Sequence, residues 1–206
     1  EQTDFESANS FAIERWIGIR RLGTVGRSFY LNRKRWVARG VCRDRAAVAD
    51  FAVAREESAM LHVPAADDAF CLEASRLGVP LIINLAVDEP RILSEIRRLG
   101  PWPAVFAIAL DAALVGEIEV RAAAKNVLFA ARIENMETMA VPAWADFVIG
   151  SVNLLDNLAE ASNKLKIPII AVRKSSDPID IPQGRAACDK LQFDLAPFGN
   201  FAGYFV

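Results

Sequence analysis

Residues 11–41 read FAIERWIGIRRLGTVGRSFYLNRKRWVARGV, and this stretch holds the transition on which the fold depends. Phe11, Ile13, Ile17 and Ile19 fall on one face if the chain is extended, because alternate residues of a strand point the same way. Phe29-Tyr30-Leu31 then runs into Asn32-Arg33-Lys34, a hairpin-like sequence with one departure. A two-residue turn favours Asn-Gly, since both central residues take positive φ, and Arg33 stands where that glycine would be. Beyond the turn, Trp36 to Val41 is an apolar, β-rich run of a different character. Residues 1–35 are too few to build a sandwich, so they are expected to form a strand and hairpin remnant of a preceding domain. Residues 36–206 are expected to form the main domain.

Past Gly40 one unit recurs: a short apolar run, a polar break, then a helical pattern. The expected strands are Trp36–Val41, Ala59–Val63, Pro80–Leu85, Ala104–Leu110, Val127–Ile133, Phe147–Val152, Pro168–Val172 and Phe201–Val206. They lack clean polar alternation, as parallel strands covered on both faces should. Between them, Asp67 to Gly78 carries a helix start, an apolar stripe and a terminal glycine. Eight such steps predict an α/β fold, a compact (β/α)8 TIM barrel. An open doubly wound sheet is the alternative, but no glycine-rich phosphate turn follows the first strand. Pro178, Pro182 and Pro197 punctuate residues 177–200, which are expected to be a loop with one helix around Arg185 to Leu191.

Composition narrows the function classes. With 53% hydrophobic residues in 206, the chain has ample material for a core. Its 24 basic and 26 acidic residues are interspersed, so no basic face is expected and nucleic acid is not a predicted partner. No apolar run reaches the length of a transmembrane segment, and the first 30 residues lack a signal-peptide pattern. The chain begins with Glu1 rather than Met, so an upstream segment and any address in it are expected to have been removed. Cys42, Cys71 and Cys188 are too scattered for a disulfide framework or a CxxC metal clip and read as buried free thiols.

Ile17-Gly18-Ile19-Arg20, Phe29 to Lys34 and Arg39-Gly40-Val41 together resemble the domain junction of glycoside hydrolase family 2, the β-galactosidase and β-glucuronidase group. There a sandwich's last strand and a hairpin lead into the first barrel strand. The resemblance continues weakly through Asp50 to Arg55 and Phe70 to Leu85. Pro103 to Leu110 is similar to the family's fourth strand, which ends in Gly-Asn-Glu, and Asp111, Ala112 and Ala113 fall in those places. Ile167 to Arg173 is similar to the seventh strand, whose last residue is the nucleophile. The resemblance therefore implies that Ala113 replaces the acid/base glutamate and Arg173 the nucleophile, while Asn84-Leu85 replaces an acidic tip on strand three. Retaining hydrolysis needs two carboxyls about 5–5.5 Å apart. Alanine cannot supply one, and a permanently cationic arginine disfavours an oxocarbenium-like transition state beside it.

The expected function is a glycoside hydrolase-like barrel that has lost both catalytic carboxylates, a degenerate pseudoenzyme acting as a binding or assembly module. Its partners would be a carbohydrate or another protein domain. Candidate ligand-binding residues at the C-terminal rim, where sites of this fold lie, are Asp44, His62, Asn84, Asn153 and Lys174, with Asp88 and Asn135 also there. His62 has no serine or cysteine partner nearby in sequence. An active glycosidase using Asp111 and Glu134 is one alternative; against it, both acids have Arg132, Arg173 or Lys174 to pair with. A second is a metal-dependent enzyme, since Arg132-Ile133-Glu134-Asn135 resembles the Lys-Ile-Glu-Asn strand end of pyruvate kinase and related phosphoenolpyruvate-family barrels, where Glu134 would hold a divalent ion. Phe147 to Asn153 offers no second carboxylate, so no metal ligand and no cofactor is assigned. Trp16, Trp36, Trp102 and Trp144 precede strands and are expected at the lower end; only Tyr204 and Phe205 are expected to approach the upper mouth.

Overall fold

The computed structural model describes residues 21–86, 89–112, 120–133, 141–152, 164–174 and 179–206. Three short strands come first: β1 (Leu22–Val25), β2 (Ser28–Leu31) and β3 (Lys34–Trp36) form an antiparallel sheet in that order. Phe11 to Arg20 lie outside the described residues. The β2–β3 turn has Asn32 at φ 52° and Arg33 at φ 67°, so the chain makes the favoured hairpin turn with a side chain in the glycine place. Asn32 is helped locally, because its side-chain oxygen accepts from the Arg21 N–H at 3.0 Å. Arg33 is exposed and the described residues give it no comparable local hydrogen bond.

Eight parallel strands then close into a barrel: β4 (Ala38–Cys42), β5 (Met60–Val63), β6 (Leu81–Asn84), β7 (Val105–Asp111), β8 (Leu128–Ile133), β9 (Phe147–Ser151), β10 (Ile169–Val172) and β11 (Gly203–Phe205). Each pairs with its sequence neighbours, and β11 pairs with β4 to complete the ring. This is the expected TIM-type barrel, and closure removes the open-sheet alternative. One boundary differs from expectation: Trp36 belongs to β3, where it pairs with Phe29, and the barrel begins two residues later at Ala38. An apolar run spanning two strands cannot show where the chain changes sheet.

The described helices follow their strands: α1 (Asp50–Glu56), α2 (Asp68–Leu77), α3 (Glu89–Leu99), α4 (Val120–Ala123) and α5 (Ile181–Leu195). α2 matches its sequence signals closely. The Asp67 carboxylate accepts from the Phe70 N–H at 2.7 Å, and Gly78 ends the helix at φ 71°. α5 is longer than its prolines suggested. Asp180 caps it by accepting from the Gln183 N–H at 2.7 Å, and Pro182 sits in the first turn, where a missing N–H leaves no helical bond unmade. α5 packs on β4 and β11 through Cys188, Leu191 and Leu195, and Gly184 lies so close over Val41 that a Cβ would press on that side chain.

Inside the ring, side chains from alternate strands share levels. Following the registers round the barrel puts Met60, Ala107, Phe147 and Gly203 lowest, then Gly40, Ile82, Ala130 and Ile170. His62, Ala109, Ile149 and Phe205 come next, then Cys42, Asn84, Arg132 and Val172, with Asp111 and Ser151 above them at the C-terminal mouth. The bore is therefore apolar below and polar above. At the lower end Phe29 from β2 enters with no exposed surface and meets Phe147 and Phe106 edge-on, with centroids 5.0 and 5.4 Å away. Trp36 adds a third contact to Phe106 at 5.3 Å. Arg27 Nε donates to the Leu165 carbonyl at 2.9 Å and ties the small sheet to the barrel's underside.

Two consequences can be measured by denaturant unfolding. Phe29→Ala removes a fully buried ring from between two others and is expected to destabilise the fold by about 3–5 kcal/mol. Arg33→Gly relieves a left-handed conformation at an exposed turn and is expected to raise stability by about 1 kcal/mol.

Candidate functional site

The mouth of the barrel is built from residues at or just beyond the C-terminal strand ends, because parallel strands present those ends together at one opening. Cys42 and His62 are direct partners in the β4–β5 register, and both face the bore. Their side chains meet with Cys42 Sγ 3.5 Å from His62 Nδ1. No cysteine lies near His62 in sequence, and a whole βα unit separates the two; the strand register brings Cys42 beside it in space. What could have revealed it is parity: both are the last inward-facing residues of consecutive strands.

His62 is 9% exposed and stands edge-on to Phe205, with ring centroids 6.0 Å apart. Burial holds its pKa below the ordinary histidine value. The Asn84 side chain opposes that shift as a hydrogen-bond acceptor would, whereas the Arg132 and Lys174 cations reinforce it. Even so, neither His62 Nε2 nor Asn84 Oδ1 completes a hydrogen bond of good geometry. Cys42 is half-buried as a residue, but burial of the thiol pushes its pKa up to about 12, so it stays protonated at neutral pH. With a protonated thiol and a neutral ring, the contact is a weak hydrogen bond whose direction follows the imidazole tautomer. This is not the thiolate–imidazolium pair of a cysteine nucleophile.

Asp111 and Arg132 are partners in the β7–β8 register, and their nearest charged atoms are 3.9 Å apart. This is a long ion pair between half-buried groups. Arg132 Nε is buried and has no hydrogen-bond partner among the described residues. Lys174 lies two residues beyond Val172 on the same inward parity, and its charge reaches both His62 and Cys42. Asp44 is exposed at the rim beyond Cys42. Asp88, Ala113, Glu134, Asn135 and Asn153 lie outside the described residues. The mouth thus brings together Asp44, His62, Asn84, Asp111 and Lys174 of the expected residues, and adds Cys42 and Arg132.

Arg173 is elsewhere. Its two terminal nitrogens each lie 3.2 Å from Asp194 Oδ2, so the guanidinium reaches outward to α5 and not into the bore. Tyr204 is likewise corrected: it is buried among Cys188, Leu191 and Phe201 in the layer between barrel and helix, and only Phe205 points inward. Trp36, at the lower end, and Trp144, buried before β9, occupy the structural positions expected of them. Among the described residues no group of three or more His, Cys, Asp or Glu side chains is placed to hold a metal ion. No described helix is long and apolar enough to cross a membrane.

The lone histidine makes this site directly readable. Because its folded pKa lies below that of the unfolded chain, the unfolded state binds more protons in the interval between them. The stability this group contributes is complete above about pH 6.5 and falls as pH drops through the interval toward the folded pKa. The His62 ring resonance should titrate below 6.5, and Lys174→Gln should move its midpoint upward by removing a nearby cation. A midpoint above 6.5, or no response to Lys174→Gln, would contradict this electrostatic picture. Native Cys42 should react slowly with thiol reagents at pH 8.

The sequence matches no protein-family model and no curated protein. The fold is similar to solved glycosidase structures. One is a β-galacturonidase of glycoside hydrolase family 2 from Eisenbergiella tayi, bound to galacturonate, with a TM-score of 0.67 at 12% identity over 92% of this chain. Another is the β-glucuronidase of Ruminococcus gnavus, with a TM-score of 0.62 at 14% identity, again over 92% of this chain. The matched region is 46% of the length of each, so this chain spans less than half of those proteins. The likeness is one of fold: a glycoside hydrolase-like barrel preceded by a small antiparallel sheet.

Proposed function

We propose that the chain is a glycoside hydrolase-like barrel that binds a ligand without cleaving it, serving as a non-catalytic binding or assembly module. The ligand or partner is a carbohydrate or another protein domain. The observation that carries this reading is Arg173. The residue aligned with the family's nucleophile is a cation, and its guanidinium is engaged by Asp194 on α5. Such a group neither attacks C1 nor makes room for a carboxylate that would. Ala113, aligned with the acid/base glutamate, has no proton to donate. Among the described residues, the C-terminal strand ends still gather polar side chains, Asn84, Asp111, Arg132 and Lys174, above an apolar interior.

Assays with a panel of aryl glycosides should give no turnover above background. Turnover by the unmodified chain, abolished by Asp111→Asn or Glu134→Gln, would overturn the proposal in favour of a relocated carboxylate pair.

A further inference from the structure

Charge is mixed over the whole chain but not in one stretch: from Arg15 to Arg43 there are nine Arg and Lys residues and no Asp or Glu. Within it, Arg39 pairs with Asp189, Arg43 donates to the Ile179 carbonyl and Arg27 to the Leu165 carbonyl. Arg21, Arg33, Lys34 and Arg35 are exposed and enter no ion pair among the described residues. The hydrogen bond of Arg35 is to the neutral Asn200 carboxamide, at 3.2 Å. Arg21 stands opposite Asn32, beside the Arg33 turn, and three strands span only about 10 Å, so the four cations crowd within roughly one Debye length.

Beside them is an open sheet edge. β1 pairs with β2 on one side, and among the described residues no strand pairs with it on the other. The Asn32 N–H donates to the Arg21 carbonyl at 2.7 Å, which marks those two as a hydrogen-bonded pair. Alternation along the register makes Gly23 with Tyr30 and Val25 with Ser28 the next such pairs, and turns the N–H and C=O groups of Leu22 and Thr24 toward the free edge. Sheet edges are commonly blunted by charge or proline, and β1, Leu22-Gly23-Thr24-Val25, carries neither. Its outer face is bare as well: a Cβ on Gly23 would meet nothing within 4 Å, and Val25 is 66% exposed.

We infer that β1 is a docking edge for another protein, which adds an extended segment to the small sheet as a fourth strand, its acidic end lying on Arg21, Arg33, Lys34 and Arg35. This goes beyond the binding-module reading and concerns the underside of the barrel, opposite the mouth. The main-chain groups of Leu22 and Thr24 give the segment its register, and the cations at one end give it a direction. A second copy of the chain fits the edge poorly. Two-fold pairing of β1 with itself runs antiparallel and sets the Arg21 end against the Arg27 turn, cation against cation. A nucleic acid or an acidic polysaccharide matches the charge but has no strand-forming backbone for the edge.

The probe is a short fluorescent peptide of alternating Thr and Val with paired Glu residues at one end, titrated into the full chain. It should bind saturably, weaken as salt rises, and slow the exchange of the Leu22 and Thr24 amide protons, which exchange rapidly in the free chain. Thr24→Pro removes an outward N–H and leaves the β1–β2 ladder intact, and should weaken the peptide roughly tenfold. Arg21→Gln combined with Arg33→Gly, both at exposed positions, should weaken it roughly threefold to tenfold and keeps the test decisive if Thr24→Pro fails to fold. Equal binding of the same peptide with an N-methylated backbone, or of its Lys-for-Glu counterpart, would overturn the inference. So would absence of binding, or tighter binding of poly-uridylate or heparin than of the peptide. Slow exchange of Leu22 and Thr24 in the free chain, with no peptide bound, would assign the edge to residues 1–20 or, where it grows with protein concentration, to a second copy, and would overturn it equally. Aryl glycoside turnover bears only on the binding-module reading and leaves each of these outcomes unchanged.

Discussion

The ring closes where β11 meets β4, and everything else in the molecule depends on how near those two strands can come. Gly203 lies opposite Ala38 in the register, and a Cβ there would collide with the Ala38 backbone and side chain. The Ala38 N–H donates to Ala202 at 3.0 Å and the Cys42 N–H donates to Val206, so the first and last strands are laced together at both ends of the contact. Without that seam β4 and β11 would each present an unpaired edge, and the bore would open to water. The seam also sets the height of Cys42 relative to Phe205, and hence the position of His62 above the apolar floor.

A second layer of dependence runs through α5. It covers β4 and β11 on the outside, with Cys188 Sγ donating to the Gly40 carbonyl at 3.2 Å and Arg43 reaching the Ile179 carbonyl at 2.7 Å just ahead of the helix. Arg39 pairs with Asp189 at 3.0 Å, and Arg185 with the same carboxylate at 2.8 Å. These are partly exposed pairs and add little individually. Their geometry matters more than their energy: α5 also carries Asp194, so docking this helix on the seam places a carboxylate where Arg173, turned outward by strand alternation, meets it.

The barrel was legible because its strands are apolar on both faces, and all eight expected runs match the observed strands within two residues at either end. Where the reading missed, the missing quantity was direction. Trp36 is as apolar as Val41, yet one belongs to the three-stranded sheet and packs on Phe106 while the other faces a helix, and composition does not distinguish them. Arg173 and Lys174 are adjacent cations, and only the strand's parity sends the first outward and the second toward the bore. Cys42 and His62 became a pair through register alone. Pro182 read as a break because proline is hostile to helix interiors, but its place after the Asp180 cap makes it a starting residue.

Phe29 stoppers one end of the bore, and Phe205, fitted against Gly40 where any side chain would overlap its ring, blocks the middle. The barrel is thus a blind cup and not a conduit. Anything that occupies it must arrive and depart through the same opening, so arrival of one molecule requires departure of the last. For any such occupant residence time would be set at that one end, since the described strands beneath offer no second exit.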